Sequence, residues 1–454
     1  MKTILFTFLL LASAQASQKK WNVITVVTDD QSQWSVGCYG QSDIQTPHMD
    51  SLAKDGAIFT NAFVNSPVCS PSRATFLTGR HSTELGVTDW LTGGQSQKNG
   101  ISNKFTSWPE ILRQNGYTTG LIGKWHLGSR EASLPKNNGF TYFKGNPAGG
   151  WHPKKTIFTD NQNKTEPITG DSVNICTDIA IDFIKENKSR PFSLLVHYRE
   201  PHAPYGPMPS IDEAKTKDLK PAISDYPNLN KNTAKLMRNY LTAVSAVDRN
   251  LGRILETLKE QGLEEKTIVI FTSDHGYNIG HHGLRFKGNG YWITTDKKGC
   301  RPNMFETSIS VPLMIRWPGV VKPGTRVDAM TANIDMLPSI TGMLGLQSAT
   351  PHHGYDFTPL LKGEKPAQWR TEVFGQYQMI NDAKHSMRMI RTKDWKLIRH
   401  YKVENKDELY DLKNDPGETI NLINEKKHAK VISKLQARMD SRMKALKDDP
   451  LSKS

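Results

Sequence analysis

A three-layer α/β fold around a large, mostly parallel sheet, followed by a smaller C-terminal α+β subdomain with an antiparallel sheet, is predicted by three features of this 454-residue sequence. Short β-branched runs that read as fully buried strands alternate with helical segments through most of the chain, as a parallel sheet covered on both faces requires. Several of these runs end on aspartate, lysine or histidine, at the strand edge where open α/β sheets place their ligands. Towards the C-terminus the pattern changes to short, closely spaced strands and a basic closing helix. Residues 17–365 are therefore assigned to a first domain and 366–454 to a second, with Pro351 to Trp369 as the linker.

Met1 to Ala16 stands outside the fold. One lysine, an apolar run from Ile4 to Ala14 and the small-residue pattern Ala14-Gln15-Ala16 read as a secretory signal peptide cut after Ala16. That run is too short to span a bilayer and no later stretch is long enough. An exported protein, periplasmic or secreted and without stable membrane insertion, is expected. Trp21 to Thr28 is the first buried strand, and it ends in Asp29-Asp30. Two carboxylates there form either an Asx-type turn or hard oxygen ligands for a cation. Thr46-Pro47 opens a short helix, and Ala57 to Val64 reads as a strand.

Ser66 to Arg80 is the stretch on which the chemistry turns. Pro71 and the apolar run after it place Cys69 at or just before a helix N-terminus. Free N–H groups and the helix dipole favour an anion there, and Arg73 adds a planar, permanently charged fork. A cysteine at such a turn is either a buried small apolar residue or a nucleophile beside a bound tetrahedral oxyanion.

Trp108 to Asn115 is a helix closed by Gly116. The strand Tyr117 to Ile122 delivers Gly123-Lys124-Trp125-His126-Leu127-Gly128, in which Lys124 and His126 share one face of an extended segment. Gly139 to Gly170, polar and without periodicity, reads as a long loop, facing either a substrate or plain solvent. Asp171 to Asn187 is a helix, and Phe192 to Tyr198 a strand leading to His202, which prolines flank. Asn232 to Gln261 carries Leu236, Tyr240, Val244, Val247, Leu251, Ile254 and Leu258 at helical spacing and is a long core helix. The strand Thr267 to Thr272 runs into Asp274-His275, and Val311 to Ile315 is a further strand. Ser386 to Thr392, Trp395 to Arg399 and Glu408 to Leu412 are the C-terminal strands, and a helix follows from Lys426.

Cys69-Ser70-Pro71-Ser72-Arg73, followed by Ala-Thr-Phe-Leu-Thr-Gly-Arg, resembles the signature of the type I sulfatases. Gly123 to Gly128 resembles their second signature. Further motifs match in order, so the resemblance covers nearly the whole mature chain. It implies an alkaline phosphatase-like fold and hydrolysis of sulfate esters, and likeness to bacterial polysaccharide sulfatases implies a sulfated carbohydrate substrate. It further implies that a formylglycine-generating maturation enzyme oxidises Cys69 to formylglycine, whose hydrated aldehyde attacks sulfur. One calcium ion is implied, held by Asp29, Asp30, Asp274, His275 and the residue at position 69. In the same scheme Arg73, Lys124 and Lys287 stabilise charge on the sulfate, and His202 protonates the departing alcohol. His126 contacts the formylglycine hydroxyl and deprotonates it as sulfate leaves. The chain departs from the family where Tyr291 to Arg301 is inserted, which leaves Lys297 and Lys298 as competitors of Lys287. His281-His282 reads either as a zinc pair or as loop residues, and Trp151 and His152 are candidates for sugar contact.

The formal charge of +14 fits an acidic partner. No nucleic-acid motif has the expected spacing, so nucleic acid is set aside. Much of the excess lies in Glu425 to Lys430 and Lys444 to Lys453, which read as a solvated basic helix. If Cys69 is consumed, Cys38, Cys176 and Cys300 allow at most one disulfide. Asn163 and Asn187 open glycosylation sequons that matter only in a eukaryotic source. Two alternatives stand beside the sulfatase: a phosphodiesterase or phosphonate hydrolase of the same fold, and a non-catalytic binder of sulfated glycans if Cys69 is never converted.

Overall fold

The computed structural model describes residues 20–221, 228–348, 350–401, 403 and 406–451, so the expected signal peptide lies outside the described residues. Ten strands form the central sheet. Five of them are parallel neighbours in the order Thr267–Ser273, Asn22–Thr28, Phe192–His197, Thr118–Lys124 and Tyr142–Asn146. Successive strand residues point to opposite faces, and the two cores divide accordingly. Val23, Val27, Leu121, Ile268 and Ile270 pack beneath Cys69–Thr78, Trp108–Gln114 and Met336–Met343. Ile24, Val26, Ile122, Val269 and Phe271 pack beneath Pro47–Lys54, Ser172–Asn187 and Thr233–Glu260. The predicted three layers are present.

Two expectations are corrected. Residues 139–170 are not one loop: Tyr142–Asn146 joins the sheet in parallel, and Lys155–Asp160 with Thr165–Thr169 extends it as an antiparallel hairpin. They form one end of the sheet, half-exposed and polar, and Pro167 sits in the outermost strand, where a missing ladder donor is tolerated. Their pattern is therefore not the apolar run that marks a buried strand. Ala57 to Val64 is broken into Ala57–Phe59 and Ala62–Phe63. The Thr60 hydroxyl and Asn61 amide between them turn to Asp328, at 2.7 and 2.9 Å. The insertion at 291–301 is largely a hairpin, Asn289–Trp292 against Cys300–Pro302, in a small antiparallel sheet with Asn278–Ile279 and Leu284–Phe286.

The C-terminal strands Glu372–Met379, His385–Thr392, Trp395–Tyr401 and Glu408–Asp411 form one antiparallel sheet. Phe374, Ile390, Leu397 and Leu409 pack on Leu435 and Met439 of the closing helix Ala429–Leu446. Val373, Tyr377, Met387 and Met389 on the other face belong to the same core as the main sheet. Buried ion pairs reinforce the join. Lys396 lies between Glu306 and Glu418, 2.6 Å from each, and Arg388 holds Asp448 by two bonds of 2.5 Å. All four cysteines are free thiols. No described helix is long and apolar enough to cross a membrane.

Candidate active site

The parallel strands end on one edge of the sheet, and the residues singled out from sequence meet there. Cys69 is the first residue of a helix whose ten residues are all buried, and Gly79, at φ 65°, closes it in the left-handed conformation that glycine tolerates. Ser72 anchors this helix to the Asp274 carbonyl, and the Asn333 amide donates to the Ser72 carbonyl at 3.0 Å. The Cys69 Sγ lies 3.3 Å from His275 Nε2 and 3.5 Å from Asp29 Oδ1. One helical turn on, Arg73 Nε donates to Asp274 Oδ2 at 2.9 Å.

Around this centre the charges pair in a fixed pattern. The Lys124 ammonium sits on Asp29, and Lys287 Nζ is 2.6 Å from Asp30 Oδ1. His202 Nε2 approaches Asp30 Oδ2 to 3.8 Å. His126 Nε2 is 3.0 Å from the Leu91 carbonyl, and its ring lines the same cavity as Cys69, Lys287 and His202. Asp30 and His126 have φ values of 71° and 57°. Left-handed backbone is costly for a residue with a side chain and concentrates at functional sites. Lys297 and Lys298 stay exposed on the inserted hairpin, with Lys297 Nζ 4.6 Å over the Trp292 ring. The His281 ring lies tilted against Trp34, and the His282 ring stacks on Phe305.

Burial and the facing charges set the electrostatics of this centre. Burial pushes Asp30 up to about 7, with the neighbouring Asp29 adding to it and Lys287 opposing it. Asp29 is also driven up by burial, but Lys124, then His202 and Arg73, hold it well below the usual carboxylate range. Burial works against an imidazolium at His275, yet Asp274 and Cys69 raise that group to about 9. Burial likewise raises the Cys69 thiol, and Lys124, Lys287 and His275 bring it below its ordinary value. One oxygen of Asp30 is buried without a hydrogen-bond partner. Ligand atoms of Asp29, Cys69, Asp274 and His275 lie within 4.8 Å of one another, as do those of Asp29, Asp30, Cys69 and His202. Three converging carboxylates with an unpartnered oxygen fit a hard, oxygen-preferring cation such as calcium. The imidazole and sulfur are its softer neighbours.

The cavity above Cys69 holds about 540 Å³ and is walled by Trp90, Phe286 and Tyr291, with Asp382 reaching in from the C-terminal sheet. Ala148 to Gly150 form part of the lining, whereas Trp151 packs inward on Phe158 and His152 is exposed. Sequence reasoning missed several neighbours. His197 is buried, with Nδ1 3.0 Å from Arg73 Nη1 and 3.1 Å from the Lys124 carbonyl. Its position at the end of a buried strand was the available signal. Trp90 and Asp382 carry no such signal, since only the packing of distant segments brings them to the cavity.

A buried thiol ringed by fixed cations and carboxylates lies at the sheet edge where α/β folds bind their ligands, an arrangement suited to a bound oxyanion. Residues 21–346 match the Sulfatase family profile, and residues 295–445 match the profile described as N-sulphoglucosamine sulphohydrolase, C-terminal. The chain belongs to the sulfatase family and is a sulfuric ester hydrolase. It is 29% identical to an N-acetylglucosamine-6-O-sulfatase of Bacteroides thetaiotaomicron, over 95% of this chain and 88% of that one. An ulvan-active sulfatase of Formosa agariphila is 28% identical over 96% of this chain and 83% of its own. A solved structure in complex with its substrate D-glucosamine-2-N,6-O-disulfate superposes with a TM-score of 0.81 at 27% identity, covering 96% of this chain and all of that one.

Proposed function

We propose that this protein removes sulfate from a sulfated carbohydrate, with formylglycine formed from Cys69 as nucleophile and one calcium ion beside it. The observation that carries this reading is the buried thiol at a helix N-terminus, 3.5 Å from Asp29 and 3.3 Å from His275, facing an open cavity. Relatives whose names specify sulfated glucosamine and ulvan support the carbohydrate class. Matured position 69 supplies a hydroxyl nucleophile that can later expel sulfate by re-forming its aldehyde, which a serine cannot do. Bound calcium, held by Asp29, Asp30, Asp274 and His275, supplies Lewis-acid polarisation of the sulfate oxygens.

The remaining work falls to the chain. Arg73 and Lys124, each fixed by a carboxylate before substrate arrives, present positive charge without reorganising, and Lys287 does so from the opposite side. His202 donates a proton to the departing alcohol oxygen. Burial, with Lys287 next in effect, holds His202 well below the ordinary imidazole range. In the free site it is therefore neutral, like His126, and it takes up the proton it donates only once the anionic sulfate ester beside it favours the imidazolium. Burial, then Lys124, lowers His126 similarly, so it is neutral and able to take a proton from the residue-69 hydroxyl. Asp274 takes the proton of the attacking hydroxyl. The leader read from Met1 to Ala16 directs the enzyme to the periplasm or medium.

The test is the mass of the Cys69 peptide from protein made in its native host, paired with sulfate release from sulfated glucosamine and ulvan oligosaccharides. Formylglycine together with released sulfate is expected. Unmodified cysteine throughout, in protein that binds sulfated sugar without turnover, overturns the reading in favour of a binder.

A further inference from the structure

A second cavity of about 580 Å³ lies beside the first, between the 204–208 segment and the long helix Thr233–Glu260. Its lining includes Lys217, Arg238 and Arg285, against the single carboxylate of Glu213. Glu213 is already engaged, with Oε1 accepting the Met208 N–H at 3.0 Å. Among the described residues neither arginine is paired with a carboxylate. Arg285 is instead held by aromatic groups: Nε donates to the Tyr205 hydroxyl at 3.1 Å, and the guanidinium lies 5.2 Å over the Tyr205 ring and 4.7 Å over the Phe286 ring. It is thus positioned, with guanidinium donors to spare for an oxyanion.

Phe286 is the partition. Its ring lines the reaction cavity beside His202 and Lys287, while Arg285 covers it from the groove. It adopts φ 79°, a costly conformation for a bulky residue, with its carbonyl held by the Asn278 amide at 2.8 Å. Tyr205 lies three residues beyond His202 and completes the wall. Arg285 thus stands on the far side of the Phe286 ring from the reaction cavity that His202 lines, and Arg238 lines the same groove. The groove is as large as the reaction cavity, which suits a further sugar ring.

We propose that this groove is a second anion subsite, which takes a sulfate or carboxylate on the sugar next to the one losing its sulfate. This rests on the carbohydrate sulfatase reading and narrows it: the substrate is an oligomer or polymer with at least two anionic groups on neighbouring rings. The test is calorimetric titration of the mature full-length protein with sucrose octasulfate, a compact polyanion on two rings, and with inorganic sulfate. Arg238→Gln and Arg285→Gln are each expected to weaken the octasulfate by about tenfold, the loss of one charge-assisted contact, and to leave inorganic sulfate unchanged. Lys430→Gln/Lys434→Gln on the exposed closing helix is expected to change neither. Octasulfate binding that survives both groove variants, is absent from the wild type, or falls only in the closing-helix variant overturns the proposal. An equal weakening of both probes by Arg238→Gln does so as well, since a subsite must discriminate. Hydrolysis of 4-nitrocatechol sulfate by the same preparations reads the catalytic assignment separately, so failure of that assignment is distinguishable from failure of the subsite.

Discussion

Replacing Lys287 by glutamine removes a cation that is 5% exposed and 2.6 Å from Asp30 Oδ1. Two effects are expected, and they separate in experiment. The first is on rate. If Lys287 stabilises charge on the sulfate in the transition state, its loss resembles removal of one preorganised oxyanion donor, a factor of roughly 10²–10³ in kcat. The second is on Asp30. Breaking a buried pair typically costs about 3–5 kcal/mol when the remaining charge has no other partner. Burial already pushes Asp30 up to about 7 against the pull of Lys287, so without the lysine this carboxyl protonates at neutral pH. Protonation relieves most of the stability penalty, so folding survives while cation affinity falls. Sulfate release from an aryl sulfate, measured across added calcium, reads both effects. The expected result is a loss of about 100-fold or more that saturating calcium repairs only in part. Lys297→Gln and Lys298→Gln should stay within about twofold, as solvated side chains away from the site. A folded Lys287→Gln enzyme within threefold of wild type would refute the assignment, most directly if Lys297→Gln or Lys298→Gln showed the loss instead.

Chelation by EGTA should abolish activity and lower the thermal midpoint, with calcium restoring both. A ligand at about 1,000 times its Kd stabilises the folded state by about 4 kcal/mol, so an unchanged midpoint would count against the cation site. Gly149→Ala places a Cβ about 2.4 Å from the His126 ring. Displacing a reacting group by about 1 Å costs on the order of 100-fold, so kcat should drop while the denaturation midpoint holds. Glu408 accepts from His400 at 2.7 Å and from Arg301 at 2.9 Å. Burial opposes its charge, but Arg301 and His400 bring the carboxyl down to about 2 from an ordinary 4.5. Its folded value is depressed, so the stabilisation, about 3 kcal/mol, is complete above pH 4.5 and lost as pH falls towards 2. Glu408→Gln should flatten the acid limb of the stability curve over that interval, and an unchanged limb would sink the argument. Asp448→Ala leaves Arg388 buried and unpaired and should destabilise the protein by about 3–5 kcal/mol in equilibrium unfolding.

Most of the fold and the chemical centre were legible in sequence because both are local. A fully buried strand must be an almost continuous apolar run, and Asn22–Thr28, Phe192–His197 and Thr267–Ser273 are such runs. A thiol placed at a helix start needs the turn and proline that surround Cys69, and residues just past strand ends reach one edge of a parallel sheet whatever the loops do. The strands of 139–170 escaped notice because half-exposed positions accept polar residues, so their pairing is decided by the neighbouring strand. The sequence favoured Lys287, with Lys297 and Lys298 of the insertion as competitors, and the tertiary structure holds Lys287 at Asp30 and leaves the other two in solvent on the hairpin. Trp90, Asp382 and Arg238 belong to different parts of the chain, and their placement follows from tertiary packing alone. Bond-making groups repeat with the local backbone that positions them, whereas a cavity wall is a sum over distant segments, which no short stretch of sequence encodes.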